Sequence, residues 1–166
     1  MSFRAPPFLR DGPAGEELVE QVLEVLGPPV REHLVASSWI DNGPGWLGLQ
    51  LDSAAAVLEL RPRFSDLEVD TGVIGPHTAE DAETLGVGYE VRAFCPGVIG
   101  EDPVTGSLNA GFGLWLTRAG ALPADYVVRQ GTALGADGRV HVSTDEAGDV
   151  WVGGATRTIV QGTVQL

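Results

Sequence analysis

Residues 103–117 of this 166-residue chain, PVTGSLNAGFGLWLT, contain no charged side chain. Asp102-Pro103 suits a helix start, because aspartate accepts orphan backbone N–H bonds and proline has no N–H to leave unpaired. Thr105 or Ser107 caps a slightly later start equally well, so the spacing predicts a helix beginning between 103 and 107. That helix is apolar on all sides and rich in glycine and alanine (Ala110, Gly111, Gly113). It has no face to offer water, and its small residues admit other backbone closely, so it belongs in the interior of a fold. The run is also too short, and too interrupted by glycine, to span a bilayer.

The remainder of the chain supplies the wrapping. Leu18, Val19, Val22, Leu23, Val25 and Leu26 recur at helical spacing over Glu16–Leu26, and Gly27-Pro28-Pro29 stops that helix. Strand-like patterns then cover 34–40, 46–51 and 56–60, and after the apolar helix 125–130, 139–144, 149–153 and 156–166. Glu146-Ala147-Gly148-Asp149 reads as a hairpin turn. Many strands about one wholly apolar helix predict an α+β fold, a curved mixed or antiparallel sheet wrapped around a central helix. Residues 1–13, proline-rich and polar from Arg4, read as a linker-like segment ahead of a single domain over 14–166. There is no internal repeat and no low-complexity segment.

Charge and cysteine content narrow the function classes. Ten basic against 23 acidic residues give a net charge of −13, which opposes binding to nucleic acid or to anionic membranes. One cysteine permits no internal disulfide and fits a reducing cytoplasm, and Met1–Pro7 lacks the apolar region of a secretory signal. His33, His77 and His141 are dispersed, with no Cys, Asp or Glu cluster at ligand spacing, so no metal motif is present; each reads as a surface or satisfied histidine. Gly43-Pro44-Gly45-Trp46-Leu47-Gly48 matches the dinucleotide glycine pattern formally, but a strand rather than a helix follows it, and Asp41-Asn42-Gly43 reads as a hairpin turn. Cys95 reads as a small buried hydrophobe, and the four tryptophans as core.

Chemistry gathers at 100–109, Gly-Glu-Asp-Pro-Val-Thr-Gly-Ser-Leu-Asn. A helix N-terminus behind the flexible Gly106 presents free N–H groups that suit an anion, and Asp102 stands beside it as an acid or base. Plain helix capping by Asp102 is the alternative that local chemistry offers.

The same block carries a resemblance. Phe94-Cys95-Pro96, Gly100 and the run Glu101-Asp102-Pro103-Val104-Thr105-Gly106-Ser107 resemble the signature of the PhzF-like phenazine-biosynthesis isomerases, which share the diaminopimelate-epimerase fold. Gln130-Gly131, Gly138-Arg139, Trp39 to Gly43, Trp46-Leu47 and the ending through Val150–Gly153, Ala155, Val160, Gly162, Val164 and Leu166 are similar as well. The resemblance covers nearly the whole chain but only the C-terminal half of the family's two similar halves, so the chain begins where the linker between them would lie.

It implies an isomerase or epimerase that moves a proton on a small carboxylic acid without metal or organic cofactor. Asp102 and Glu101 are the candidate catalytic residues, and Thr105, Gly106 and Ser107 bind substrate. The glutamate and Gly-His pair of the family's N-terminal half have no counterpart here. The expected partner is therefore a second copy of the chain or a separate N-terminal half. The alternatives are a small-acid-binding pseudoenzyme and an interaction subunit that completes another chain's barrel.

Overall fold

The computed structural model describes residues 1–27, 30–97 and 100–163; Pro28, Pro29, Val164 and Leu166 of the sequence reading lie outside them. The elements run β1 (Ser2–Arg4), β2 (Arg10–Gly12), α1 (Glu16–Leu26), α2 (Val30–His33), β3 (Leu34–Asp41), β4 (Leu47–Leu51), α3 (Ala54–Glu59), β5 (Thr71–Pro76), α4 (Ala79–Leu85), β6 (Tyr89–Cys95), β7 (Gly100–Asp102), α5 (Gly106–Phe112), β8 (Asp125–Gln130), β9 (Gly138–Thr144) and β10 (Val150–Gly153). These strands form one sheet in the order β1-β10-β9-β8-β6-β5-β4-β3-β2, with β7 paired to β6 off that path. The β4/β5 and β6/β8 pairs are parallel and the others antiparallel, so the sheet is mixed.

The two ends of the sheet are nearest neighbours in sequence. Laid flat, nine strands at about 4.8 Å spacing would span roughly 38 Å, yet the chain from Arg4 to Arg10 reaches no more than about 21 Å. The sheet must therefore bend. Hydrogen bonds from Ala5 N to Val150 O and from Leu9 N to Asp41 O, both 2.7 Å, tie this short segment to both ends. The sheet comes round on itself without closing, and α5 lies inside.

Strand alternation sorts the side chains into two layers. Ile74 and Ala93 point inward to pack with Leu108 and Phe112 of α5, whereas their neighbours Val73 and Phe94 point outward beneath α1 and α3. The small residues do what the sequence required of them. A Cβ on Gly111 would lie 3.0 Å from the Ile40 carbonyl oxygen, and one on Gly72 would fall on the side chain of Leu108. The chain after α5 widens into a π-helical turn, Gly113–Thr117.

Two strand expectations are corrected, and a further helix and two edge strands come into view. Residues 56–59 belong to a helix that ends before Leu60, because Ser53 Oγ accepts the Ala56 N–H and the alanines at 54–56 favour helix over strand. The helix at Ala79–Leu85 had no apolar stripe to betray it; Thr78 caps its start and Gly86, at φ 68°, its end. Residues 156–163 form no strand. Residues 1–13 contribute β1 and β2, the two edges of the sheet. Among the described residues, no helix is long and apolar enough to cross a membrane.

His77 is neither on the surface nor well satisfied. Its side chain is 6% exposed and sits 3.3 Å from the carboxylate of Glu90, which is wholly buried on β6. Burial pushes the Glu90 carboxyl up, against the opposing pull of Thr132, His77 and Arg129. A carboxyl whose folded value is raised favours its protonated form in the fold. Its stabilising contribution is therefore complete below its ordinary value of 4.5 and is lost as pH rises through the folded value. Glu90→Gln, neutral at every pH, is expected to melt above the wild type at pH 8, with the gap shrinking toward about pH 4.5. A gap that stays constant across thermal melts over this range would refute that assignment.

Candidate active site

The β6–β7 pairing decides what the adjacent carboxylates can do. Phe94 lies opposite Glu101 and Ala93 opposite Asp102. Since Phe94 faces the outer layer and Ala93 the inner one, Glu101 points away from α5 while Asp102 points toward its N-terminus. Glu101 accepts two hydrogen bonds from Arg92, from Nε and Nη2, each 2.8 Å long. Arg92 Nη1 donates in turn to the Leu60 carbonyl just beyond α3, at 2.8 Å. Glu101 and Asp102 therefore stand on opposite faces of β7, and only Asp102 faces the start of α5. A period of two puts consecutive residues on opposite faces, and the Glu101 carboxylate is already engaged there.

Asp102 belongs to a different network. Thr105 Oγ1 donates to Asp102 Oδ2 at 2.6 Å. Gln130, at the end of β8 and wholly buried, donates through Nε2 to Asp102 O and to Thr105 Oγ1, both at 2.9 Å. Its Oε1 accepts from Thr105 N at 3.1 Å and from Asn109 Nδ2 at 2.9 Å. Asn109 Nδ2 also donates to Thr105 O.

Thr105 is the N-cap of α5, but no side chain accepts from the first helical N–H groups. Among the described residues the N–H groups of Gly106, Ser107 and Leu108 have no protein acceptor. Plain capping by Asp102 is therefore not what the loop does; its carboxylate turns to the Thr105 hydroxyl, and the helix end stays open.

The other expected residues line the same end of the fold. Ser107 Oγ accepts from Trp46 Nε1 at 3.1 Å, and Ser107 O accepts from Asn42 Nδ2 at 2.8 Å. The turn between β3 and β4, where the glycine pattern resembled a nucleotide loop, thus anchors the start of α5. A Cβ on Gly106 would meet the Phe3 ring at 3.3 Å, a close contact that the exposed Phe3 side chain would have to yield to. Beside it opens a cavity of about 520 Å³ lined largely by apolar groups, among them Phe3, Val104, Val140 and Val152, with Arg139 and Asp137 also on its wall.

Cys95, which pairs with Gly100 at the end of β6, is pushed up to about 11 by burial and by the nearby Asp70 and Asp102 carboxylates. It stays a thiol rather than a nucleophilic thiolate. Burial raises Asp70 as well. Among the described residues, no group of three or more His, Cys, Asp or Glu side chains stands ready for a metal ion.

The sequence assigns no place in the site to Gln130, Asn42, Trp46 or Phe3. The first three stand in segments that carried the resemblance, but nothing in their local pattern marks them as partners of the 102–109 loop. Those contacts span 25 or more residues along the chain.

A bent mixed sheet around a buried helix, open at the helix N-terminus beside one carboxylate, defines the α+β class of this domain. The chain belongs to the PhzC-PhzF family of phenazine biosynthesis-like proteins, whose family model matches residues 11–163. It is 28% identical to antisense-enhancing sequence 1 of Schizosaccharomyces pombe over 98% of this chain and 58% of that protein. A shorter stretch, 31% of this chain and 20% of the other, is 45% identical to an uncharacterized isomerase of Escherichia coli K12.

Among solved structures, a phenazine biosynthesis protein of the PhzF family from Enterococcus faecalis superposes with a TM-score of 0.65 at 20% identity, over 99% of this chain and 57% of that one. A predicted epimerase from Pseudomonas aeruginosa gives 0.57 at 19% identity, over 86% and 51%. These likenesses establish the fold. The chain spans little more than half the length of the relatives that it matches from end to end.

Proposed function

We infer that this protein is one half of a PhzF-like isomerase, moving a proton on a small carboxylic acid without metal or organic cofactor. A second copy or a separate N-terminal half completes the site. The observation that carries this reading is the open N-terminus of α5, where the N–H groups of Gly106, Ser107 and Leu108 stand free beside Asp102. Such an end attracts a carboxylate through its exposed donors and the helix dipole. Asp102 then lies beside the bound acid as a proton-transfer group.

Moving a proton at carbon calls for an acid and a base on opposite faces, with environments that separate their pKa values. Glu101 is turned away, so this chain offers one carboxylate and one face. Met1, Phe3 and Val104, all exposed around the cavity mouth, together with the short free edges at β1 and β2, suit cover by a partner. A two-fold dimer is the commonest closed arrangement. The names of the Escherichia coli isomerase and the Pseudomonas aeruginosa epimerase support the reaction class.

The lone carboxylate favours a second reading, a small-acid-binding pseudoenzyme or interaction subunit that keeps the cradle without turnover. Wash-in of solvent deuterium into β,γ-unsaturated or α-chiral small acids separates the two. Exchange is expected with wild type and should fall by about 10²–10⁴-fold in Asp102→Asn. Acids that bind without exchanging would establish the second reading. Unchanged exchange in Asp102→Asn would remove Asp102 from the mechanism. Light scattering alongside reports the partner, and a monodisperse monomer at micromolar concentration would eliminate the homodimer.

A further inference from the structure

We propose that Gln130 is a positioning residue that sets the direction of the Thr105 hydroxyl proton and so holds Asp102 oriented for the bound acid. Its carbonyl oxygen has two acceptor positions, and both are filled, by Thr105 N–H and by the Asn109 side-chain amide. Turning the amide over would set its N–H₂ against those donors, so the hydrogen-bond pattern fixes its orientation.

Nε2 therefore faces Asp102 O and Thr105 Oγ1, and having no lone pair it can only donate to them. Thr105 Oγ1 accepts from Gln130 and must spend its single proton elsewhere. Asp102 Oδ2, 2.6 Å away, takes it. The chain of donors runs one way, Gln130 to Thr105 to Asp102.

The burial matches the task. Gln130 is wholly inaccessible and Thr105 nearly so, and water cannot readily replace either partner. Gln130 comes from β8, on the far side of α5 in sequence, so one amide pins the backbone before the helix (Asp102 O, Thr105 N) and the hydroxyl that orients the acid. Among the described residues Asp102 Oδ1 has no protein partner, which leaves that oxygen to the substrate. For catalysis the inference rests on the isomerase reading above; for the orientation of Asp102 it does not.

Two measurements on the full chain test it separately. In wild type, NMR should show a slowly exchanging Thr105 hydroxyl proton with a cross-peak to the Gln130 side-chain amide. That resonance should be lost in Gln130→Glu and in the uncharged Gln130→Met, and kept in Thr105→Ser as a serine hydroxyl. Its absence from wild type, or its persistence in both Gln130 variants, would overturn the proposal whether or not the protein is an enzyme.

The second measurement is deuterium exchange into but-3-enoate. In Gln130→Glu or Gln130→Met the saturated rate should fall on the order of 100-fold, with the half-saturating concentration within about twofold, because none of the Gly106–Leu108 N–H groups bonds to Gln130 and Ser107 stays tied to Asn42 and Trp46. Thr105→Val should match either variant, and combining it with Gln130→Glu should cost nothing further. Additive losses, or a rise in half-saturation alone, would overturn the positioning role. If wild type exchanges nothing while the hydroxyl signal responds as stated, the isomerase reading fails for this acid and the orienting role stands.

Discussion

Glu101→Ala is expected to destabilise the protein by about 3–5 kcal/mol, the range for removing one partner of a buried ion pair. Glu101 and Arg92 have side chains only 7% and 5% exposed and are joined by paired hydrogen bonds. Arg92 also donates to the carbonyls of Val57 and Leu60, so it cannot swing out to water without abandoning the end of α3. Removing Glu101 leaves a guanidinium in the outer layer with no counter-charge, and the desolvation cost is then borne without its compensation. The paired replacement Arg92→Met with Glu101→Leu should recover most of the loss, since apolar residues of similar volume often serve as well as a buried pair. Urea unfolding measures both. A loss below about 1 kcal/mol would place the pair with solvated surface bridges instead. A fall in deuterium exchange with stability intact would return Glu101 to the catalytic machinery.

The contrast between Glu101 and Asp102 shows where a sequence stops being legible. The 103–117 run announced a buried helix because no other environment accepts it, and the structure puts Leu108, Ala110 and Phe112 of that helix in the core. The strands at 34–40, 46–51, 125–130, 139–144 and 149–153 showed themselves by apolar periodicity and turn chemistry, and they fall on β3, β4, β8, β9 and β10. The adjacency of Glu101 and Asp102 looked like a catalytic pair. Whether neighbours share a face depends on being in a strand, and the three-residue β7 was too short to show in the pattern.

The same limit hid α4, which has no apolar side and is held by Thr78 and Gly86 at its ends. Residues 156–163 show the converse. Their β-branched content is real, but strand propensity is realised only against a partner strand. Gln130 carries the subtlest lesson. Its importance lies in four hydrogen bonds to residues 21 to 28 positions away, which nothing within β8 itself discloses.

Phe112→Ala is expected to cost about 3–5 kcal/mol, a large share of the roughly 5–15 kcal/mol that holds a domain of this kind together. Phe112 is wholly buried at the centre of the inner layer and stacks on Trp115 with ring centroids 6.4 Å apart. A Cβ on Gly48 would lie 3.2 Å from its ring, so the ring packs close against the β4 backbone. The expected consequence extends beyond stability, because α5 is both the core of the fold and the element that presents the cradle. Gly106, Ser107 and Leu108 start the same short helix that Phe112 ends, so loosening its packing releases the donors as well. Acid binding by Phe112→Ala should therefore be lost at urea concentrations well below the unfolding midpoint, whereas Phe112→Leu, which keeps most of the volume, should lose binding and structure together. Equal urea sensitivity of binding and of unfolding in both variants would show that the helix N-terminus is held by the Asn42, Trp46 and Gln130 contacts independently of the core.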